Sequence, residues 1–181
     1  MKYYKFLTEE NTGGYSDFIY PVKPDGSTKW LRCKGYLKMC SNGFHLTTKE
    51  HLVSWLGKHL YEAEYQGRII EGDNKICCRK IRLVKKVDAW NEKTARLFAC
   101  DCAEHVLHIF EKQYPNDKRP RIAIEVARKY ANGLASDKEL NTARAAAWDA
   151  ARAAAWDAAW DARDPAEAQW QNEKLREYLG K

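Results

Sequence analysis

The eight-residue unit Arg-Ala-Ala-Ala-Trp-Asp-Ala-Ala begins at Arg144 and again at Arg152. Nothing in this stretch except a helix makes use of so much alanine, the residue of highest helix propensity. At 3.6 residues per turn, Arg144, Trp148, Arg152, Trp156 and Trp160 fall in one i, i+4 row. Each arginine can lie along a neighbouring indole, and the opposite, alanine-rich face permits close approach of another helix. The expectation is a long rod with one aromatic–cationic stripe. That stripe either packs into a helical domain or meets a partner, since Trp and Arg are enriched at interface hot spots.

The same grammar extends back to Asp88. Asp88 is expected to cap a helix through roughly Lys112, with Leu97, Phe98, Val106, Leu107 and Phe110 on its apolar side. "YPNDKRP" breaks it. Pro120 opens a second helix closed by Gly133, Ser136 or Asp137 starts a third, and Pro165 a last one ending near Leu179.

The first half is written differently. "KYYKFLT" and "DFIYPV" are aromatic and β-branched, "NTGG" and "KPDGS" are turn chemistry, and "EGDN" separates two strand-like runs. "KEHLVSWLGKHLYE" places Leu52, Val53, Leu56 and Leu60 at helical spacing, with Thr48 as a candidate cap. The fold class expected is α+β: residues 1–88 as a small, mostly antiparallel sheet with one crossing helix, then residues 89–181 as a bundle of about four helices.

Charge divides along the same line. Residues 1–88 hold sixteen Lys and Arg against ten Asp and Glu, whereas residues 89–181 hold fifteen of each. Lys75, Arg79, Lys80, Arg82, Lys85 and Lys86 fall within twelve residues that contain no acid, a field suited to nucleic-acid phosphate or an acidic protein face. On the helical rod, Arg152, Trp156, Asp157, Trp160, Asp161 and Asp164 form the candidate protein-partner surface.

Signals for chemistry are sparse. Within "CDCAEHVLH", Cys100, Glu104 and His108 stack at i, i+4, and Cys102 and His105 lie three apart, but there is no C-x-x-C pair. Cys40 and His45 flank "SNGF" as a second weak pair. Neither group is expected to hold a metal. No P-loop, dinucleotide-type glycine loop or nucleophile motif is present, so no cofactor is expected and binding is favoured over catalysis. The six cysteines lack secreted-framework spacing, "MKYYKFLTEE" has no apolar leader, and no run of 18 apolar residues occurs. A soluble cytoplasmic protein acting in a host cell, off the membrane, is the expectation.

Three resemblances sharpen this. "LKMCSNGFHLTTKEHLVSW" followed by "YEAEYQGRIIEGDNKICCRKIRLVKKV" resembles a small uncharacterised domain common in phage and prophage proteins; Cys40, Asn42, Gly43, Phe44, His45, Gly67, Lys75 and Ile76 match, and a threonine replaces the usual second cysteine. "CAEHVLHIFEKQYPNDKRPRIAIEVARKYANG" with the Ala/Trp/Arg tail resembles a helical immunity-protein domain. "NGFHLTTKEHLVSWL" resembles the core of ADP-ribosyltransferase-like folds, which would single out His45 and Glu62 or Glu64 and would need a cofactor-sized pocket beside His45. Together, phage-type and immunity-type parts imply a stoichiometric antagonist. The leading version is an anti-CRISPR inhibitor of a Cas effector or its nucleic acid; the alternatives are a toxin-neutralising immunity protein and an ADP-ribosyltransferase-like enzyme.

Overall fold

The computed structural model describes residues 2–147 and 165–180. The protein is α+β. Five antiparallel strands form one sheet: β1 (Tyr3–Leu7), β2 (Leu31–Arg32), β3 (Phe44–Leu46), β4 (His59–Glu71) and β5 (Ile76–Lys86). Their order is β1-β4-β5-β2, with β3 also paired to β5. Helices α1 (Glu92–Gln113), α2 (Arg119–Ala131), α3 (137–147) and α4 (Pro165–Tyr178) follow. The chain separates into two compact units, Met1–Asn91 with Leu175–Lys181, and Glu92–Lys174.

The long β4–β5 hairpin is the axis of the first unit. "EGDN" turns it, with the Gly72 amide donating to the Lys75 carbonyl at 2.9 Å. One face buries Leu7, Tyr20, Phe44, Leu46, Tyr61, Ala63, Ile76, Cys78, Ile81 and Leu83. Elsewhere in the unit Phe6 packs edge-on against Trp90, whose indole N–H donates to the Gly57 carbonyl at 2.9 Å.

Three expectations need correction here. The "KEHLVSWLGKHLYE" segment is not an α-helix but a 3₁₀ segment, Lys49–Trp55, interrupted by non-helical torsions at His51. Leu60 leaves it for β4, where it pairs with Phe6 and is fully buried, so strand pairing overrode its helical spacing. Thr48 sits at the cap position without a capping hydrogen bond. "DFIYPV" forms no strand: Ile19 makes one bridge to Thr12, and Pro21 has no N–H to extend a ladder. Asn91, not Asp88, immediately precedes α1, its side-chain amide donating to the Asp88 carbonyl at 3.1 Å.

In the second unit the punctuation falls where it was expected. Gly133 (φ 73°) closes α2, the amides of Gly133 and Leu134 returning to the carbonyls of Tyr130 and Lys129. Ser136 and Glu139 form a reciprocal capping box at the start of α3. Phe98, Cys100, Leu107, Leu140 and Ala143 are buried. Arg128 on α2 reaches both Asp101 (2.6 Å) and Glu104 on α1, and Arg121 forms a two-pronged pair with Glu111 at 2.7 Å.

Candidate functional site

The basic strand is less uniformly basic in the sheet than in the sequence. Antiparallel register sets Glu62 opposite Lys85 and Glu64 near Arg82, and both acids are used: Arg82–Glu64 is 2.7 Å and Lys85–Glu62 is 3.6 Å. Lys80 donates to Gln66 at 2.7 Å, and it and Arg82 both lie over the Trp30 ring. Arg79 and Lys80, joined by Arg32 and Arg68, still line a shallow hollow of about 450 Å³ beside Tyr36 with no carboxylate in its wall. Lys86 continues the strand at its far end, and Lys75 stands at the hairpin turn.

A larger cleft, of about 770 Å³, opens between β1, the 40–47 segment, the glycine turn at residues 13–16 and Trp55. Ligand sites commonly enclose roughly 300–1,000 Å³. Lys5 projects into it from the middle of β1, its ammonium 5.6 Å from the centre of the Tyr20 ring. Lys75 enters from the hairpin turn and lies 4.3 Å over Trp55, whose indole N–H is held by the Asn74 carbonyl at 3.2 Å. Tyr15, 89% exposed, meets Trp55 edge-on at 6.2 Å, so a ring pair borders the opening.

His45 also faces this cleft. Its Nε2 accepts the Cys40 amide at 3.0 Å, a geometry that puts the proton of the neutral ring on Nδ1. Burial, then the Lys5 and Lys75 charges, lower its pKa to about 4. Asn42 supports the turn by donating to the carbonyls of Lys34 and Tyr36, each at 2.7 Å. Glu62 and Glu64 are absent from the cleft wall and are engaged with Lys85 and Arg82. The His45–glutamate set of a transferase is therefore not brought together.

The thiol and histidine residues of α1 disperse to separate partners. The Cys100 thiol points to the Ile124 carbonyl (3.8 Å), Glu104 pairs with Arg128, and His108 Nδ1 lies 2.9 Å from the His105 carbonyl. His105 stacks on Trp170 with ring centroids 3.7 Å apart and contacts Glu167 at 2.7 Å. Burial is the leading cause that pushes the Cys102 thiol up to about 11. Among the described residues no three His, Cys, Asp or Glu side chains are grouped to hold a metal ion. The candidate partner residues Arg152, Trp156, Asp157, Trp160, Asp161 and Asp164 lie outside the described residues, as does the repeat from Trp148 onward.

Sequence reasoning passed over Lys5. The available signal was a lysine set between Tyr4 and Phe6 in an otherwise apolar strand, the kind of placement that forces a cation against a protein interior. Residues 85–162 match the family model described as "Imm-5 like putative immunity protein". Residues 1–95 match the model described as domain of unknown function DUF7666. No match to the chain was found among curated proteins or among solved structures. No described helix is long and apolar enough to cross a membrane. With the DUF7666 model spanning more than half of its length, and the sheet, the 40–45 turn and the cleft all inside that span, the chain belongs to the DUF7666 family and carries an Imm-5-like segment that overlaps the end of that match.

Proposed function

We propose that the protein is an immunity protein, a non-catalytic binder that neutralises a toxin by forming a stoichiometric complex with it. The observation that carries this reading is the similarity of residues 85–162 to the Imm-5-like family, a span that takes in α1, α2, α3 and most of the Ala/Trp/Arg repeat. A protein partner follows from that family's description. Inhibition of a Cas effector has no matching family behind it, and the toxin-directed alternative takes its place.

Within this reading, residues 89–181 supply the binding surface and residues 1–88 a second, basic module. Arg152, Trp156 and Trp160 are the residues expected to meet the toxin, since aromatic and guanidinium side chains dominate interface energetics and cost little entropy to order. Asp157, Asp161 and Asp164 would bias the choice of partner toward a basic face.

A second role, phosphate binding on the sheet, is favoured by the hollow lined by Arg32, Arg68, Arg79 and Lys80. Such contacts make affinity fall steeply with salt. In a toxin complex the same patch would serve an acidic protein face.

The test is co-expression with candidate toxins, beginning with any encoded next to this gene. The expected results are restored growth and a 1:1 complex on size-exclusion chromatography. Trp156→Ala and Trp160→Ala should weaken protection while leaving thermal unfolding unchanged. A folded full-length protein that neither protects nor binds overturns the reading. A Trp160→Ala protein that melts many degrees lower yet protects when folded would move the binding surface away from the Ala/Trp/Arg repeat.

A further inference from the structure

The cleft around Lys5 is unusual in its charge. Three cationic residues, Lys5, Lys75 and Arg32, line it, and neither aspartate nor glutamate does. Among the described residues no ion pair or hydrogen bond ties the Lys5 ammonium to a protein group; its close neighbours are the Tyr20 ring and Gly13. A cation set deep in a protein is normally matched by an anion, because desolvation without a counter-charge is expensive. Nearby acidic hydrogens do not supply one. The Cys78 thiol is held up to about 12, chiefly by burial, and burial likewise raises the Tyr20 phenol, so both stay neutral at pH 7. His45 is neutral there as well, and Lys75 adds a like charge.

The rest of the wall is aromatic and apolar: Phe18, Tyr20 and Phe44 form a mutually edge-on group, and the Tyr15–Trp55 pair borders the opening. Tyr15 is exposed and Trp55 only partly buried, and aromatic rims of that kind gain from stacking on a planar ring. The two halves of the cleft thus ask for two things in one molecule.

We infer that this cleft is a binding site for a small anion that carries a planar ring, its negative charge received by Lys5 and Lys75 and its ring by Tyr15 and Trp55. The site lies wholly in the sheet unit and is independent of the toxin-binding reading. A phosphorylated or a carboxylated ring compound would satisfy the same groups. Bound anion would restore full charge to Lys5, so affinity should decline as pH rises through about 8, the value to which burial above all, with Lys75 adding to it, lowers that amine. Of the other groups facing it, Cys78 titrates near 12, His45 near 4 and Tyr20 above its usual value, all outside that window, and Lys75 reinforces the attraction.

The experiment is calorimetric titration of the full chain with four probes: ADP, indole-3-acetate, adenosine and inorganic phosphate. At least one ring-bearing anion should bind more tightly than both adenosine and phosphate. Lys5→Met should weaken it by at least about tenfold, and Lys23→Met, outside the cleft, should not. In the wild-type protein the bound probe should shield Lys5 and Lys75, but not Lys23, from an amine-labelling reagent read by mass spectrometry. That measurement stands even if a substituted protein fails to fold. Binding by neither ring-bearing anion, adenosine binding as well as ADP, or labelling of Lys5 unaffected at saturation each overturns the assignment. Preference for ADP over indole-3-acetate, or the reverse, identifies phosphate or carboxylate as the charge recognised.

Discussion

His45 accepts the backbone N–H of Cys40 at 3.0 Å, and Cys40 reaches that position in a left-handed conformation, φ 59°. The imidazole therefore pins a turn that few residues would adopt unaided.

Protonating His45 removes this acceptor and adds a third positive charge beside Lys5 and Lys75. With a folded pKa of about 4 against 6.5 unfolded, the unfolded chain binds more protons between those values. Stability tied to His45 is complete above pH 6.5 and is lost as pH falls toward 4. His59, lowered chiefly by burial, acts in the same direction. Urea unfolding of wild type and His45→Gln at pH 7, 5.5 and 4.5 isolates the first effect: the variant should be less stable at pH 7 and show a shallower acid slope. Parallel slopes would rule this account out.

Gly43 is the position in that turn with the least tolerance. Its φ is 141°, and an added Cβ would collide with the Cys77 sulfur and come within 2.7 Å of Leu37 Cδ1. Gly43→Ala should cost about 2–4 kcal/mol, from backbone strain and overpacking together. A denaturation midpoint within error of wild type would contradict the packing described.

Lys5 carries the opposite linkage to His45. Its pKa of about 8 lies below the value of an unfolded lysine, so the cost of burying its charge is fully present below pH 8 and disappears toward 10.5. Lys5→Met should therefore stabilise the unliganded protein at pH 7 by about 1–3 kcal/mol, the gain shrinking as pH rises. Differential scanning calorimetry at pH 7 and 9.5 reads the difference. A Lys5→Met protein less stable at both values would mean the amine is already compensated.

Ser136 tests the helical unit. Its hydroxyl takes the Glu139 amide at 3.3 Å while the Glu139 carboxylate takes the Ser136 amide at 2.7 Å. Ser136→Ala should lower stability by about 1 kcal/mol and Ser136→Asp should restore most of it. Circular-dichroism melts of the three proteins check the order.

Local chemistry is what the sequence exposes best. The "EGDN" turn, Gly133 after α2, Ser136 before α3 and Pro165 at α4 are read from neighbours within a few residues, and all stand where that chemistry places them. The errors come from partners distant in sequence. Leu60 fits a helical stripe until Phe6, 54 residues away, takes it into the sheet. The acid-free run of Lys75–Lys86 reads as unopposed in the sequence, and only β4 delivers Glu62 and Glu64 across the ladder. The cleft is least legible of all, because Lys5, His45, Trp55 and Lys75 converge only once four segments have met.

The β4–β5 hairpin sets an order of events as well as a geometry. Glu71 and Ile76 pair across five residues, whereas Tyr3 must find Ala63 across sixty, so closing the first loop costs far less chain entropy than closing the second. A nascent sheet can thus begin at the turn and zip outward. β2 and β3 then join along β5, and β1 along β4. On that route Gly72, Asp73 and Asn74 govern how fast the protein reaches its native state, and the outer strands govern how long it stays there. The cleft, with one wall on β1, would come into existence only near the end.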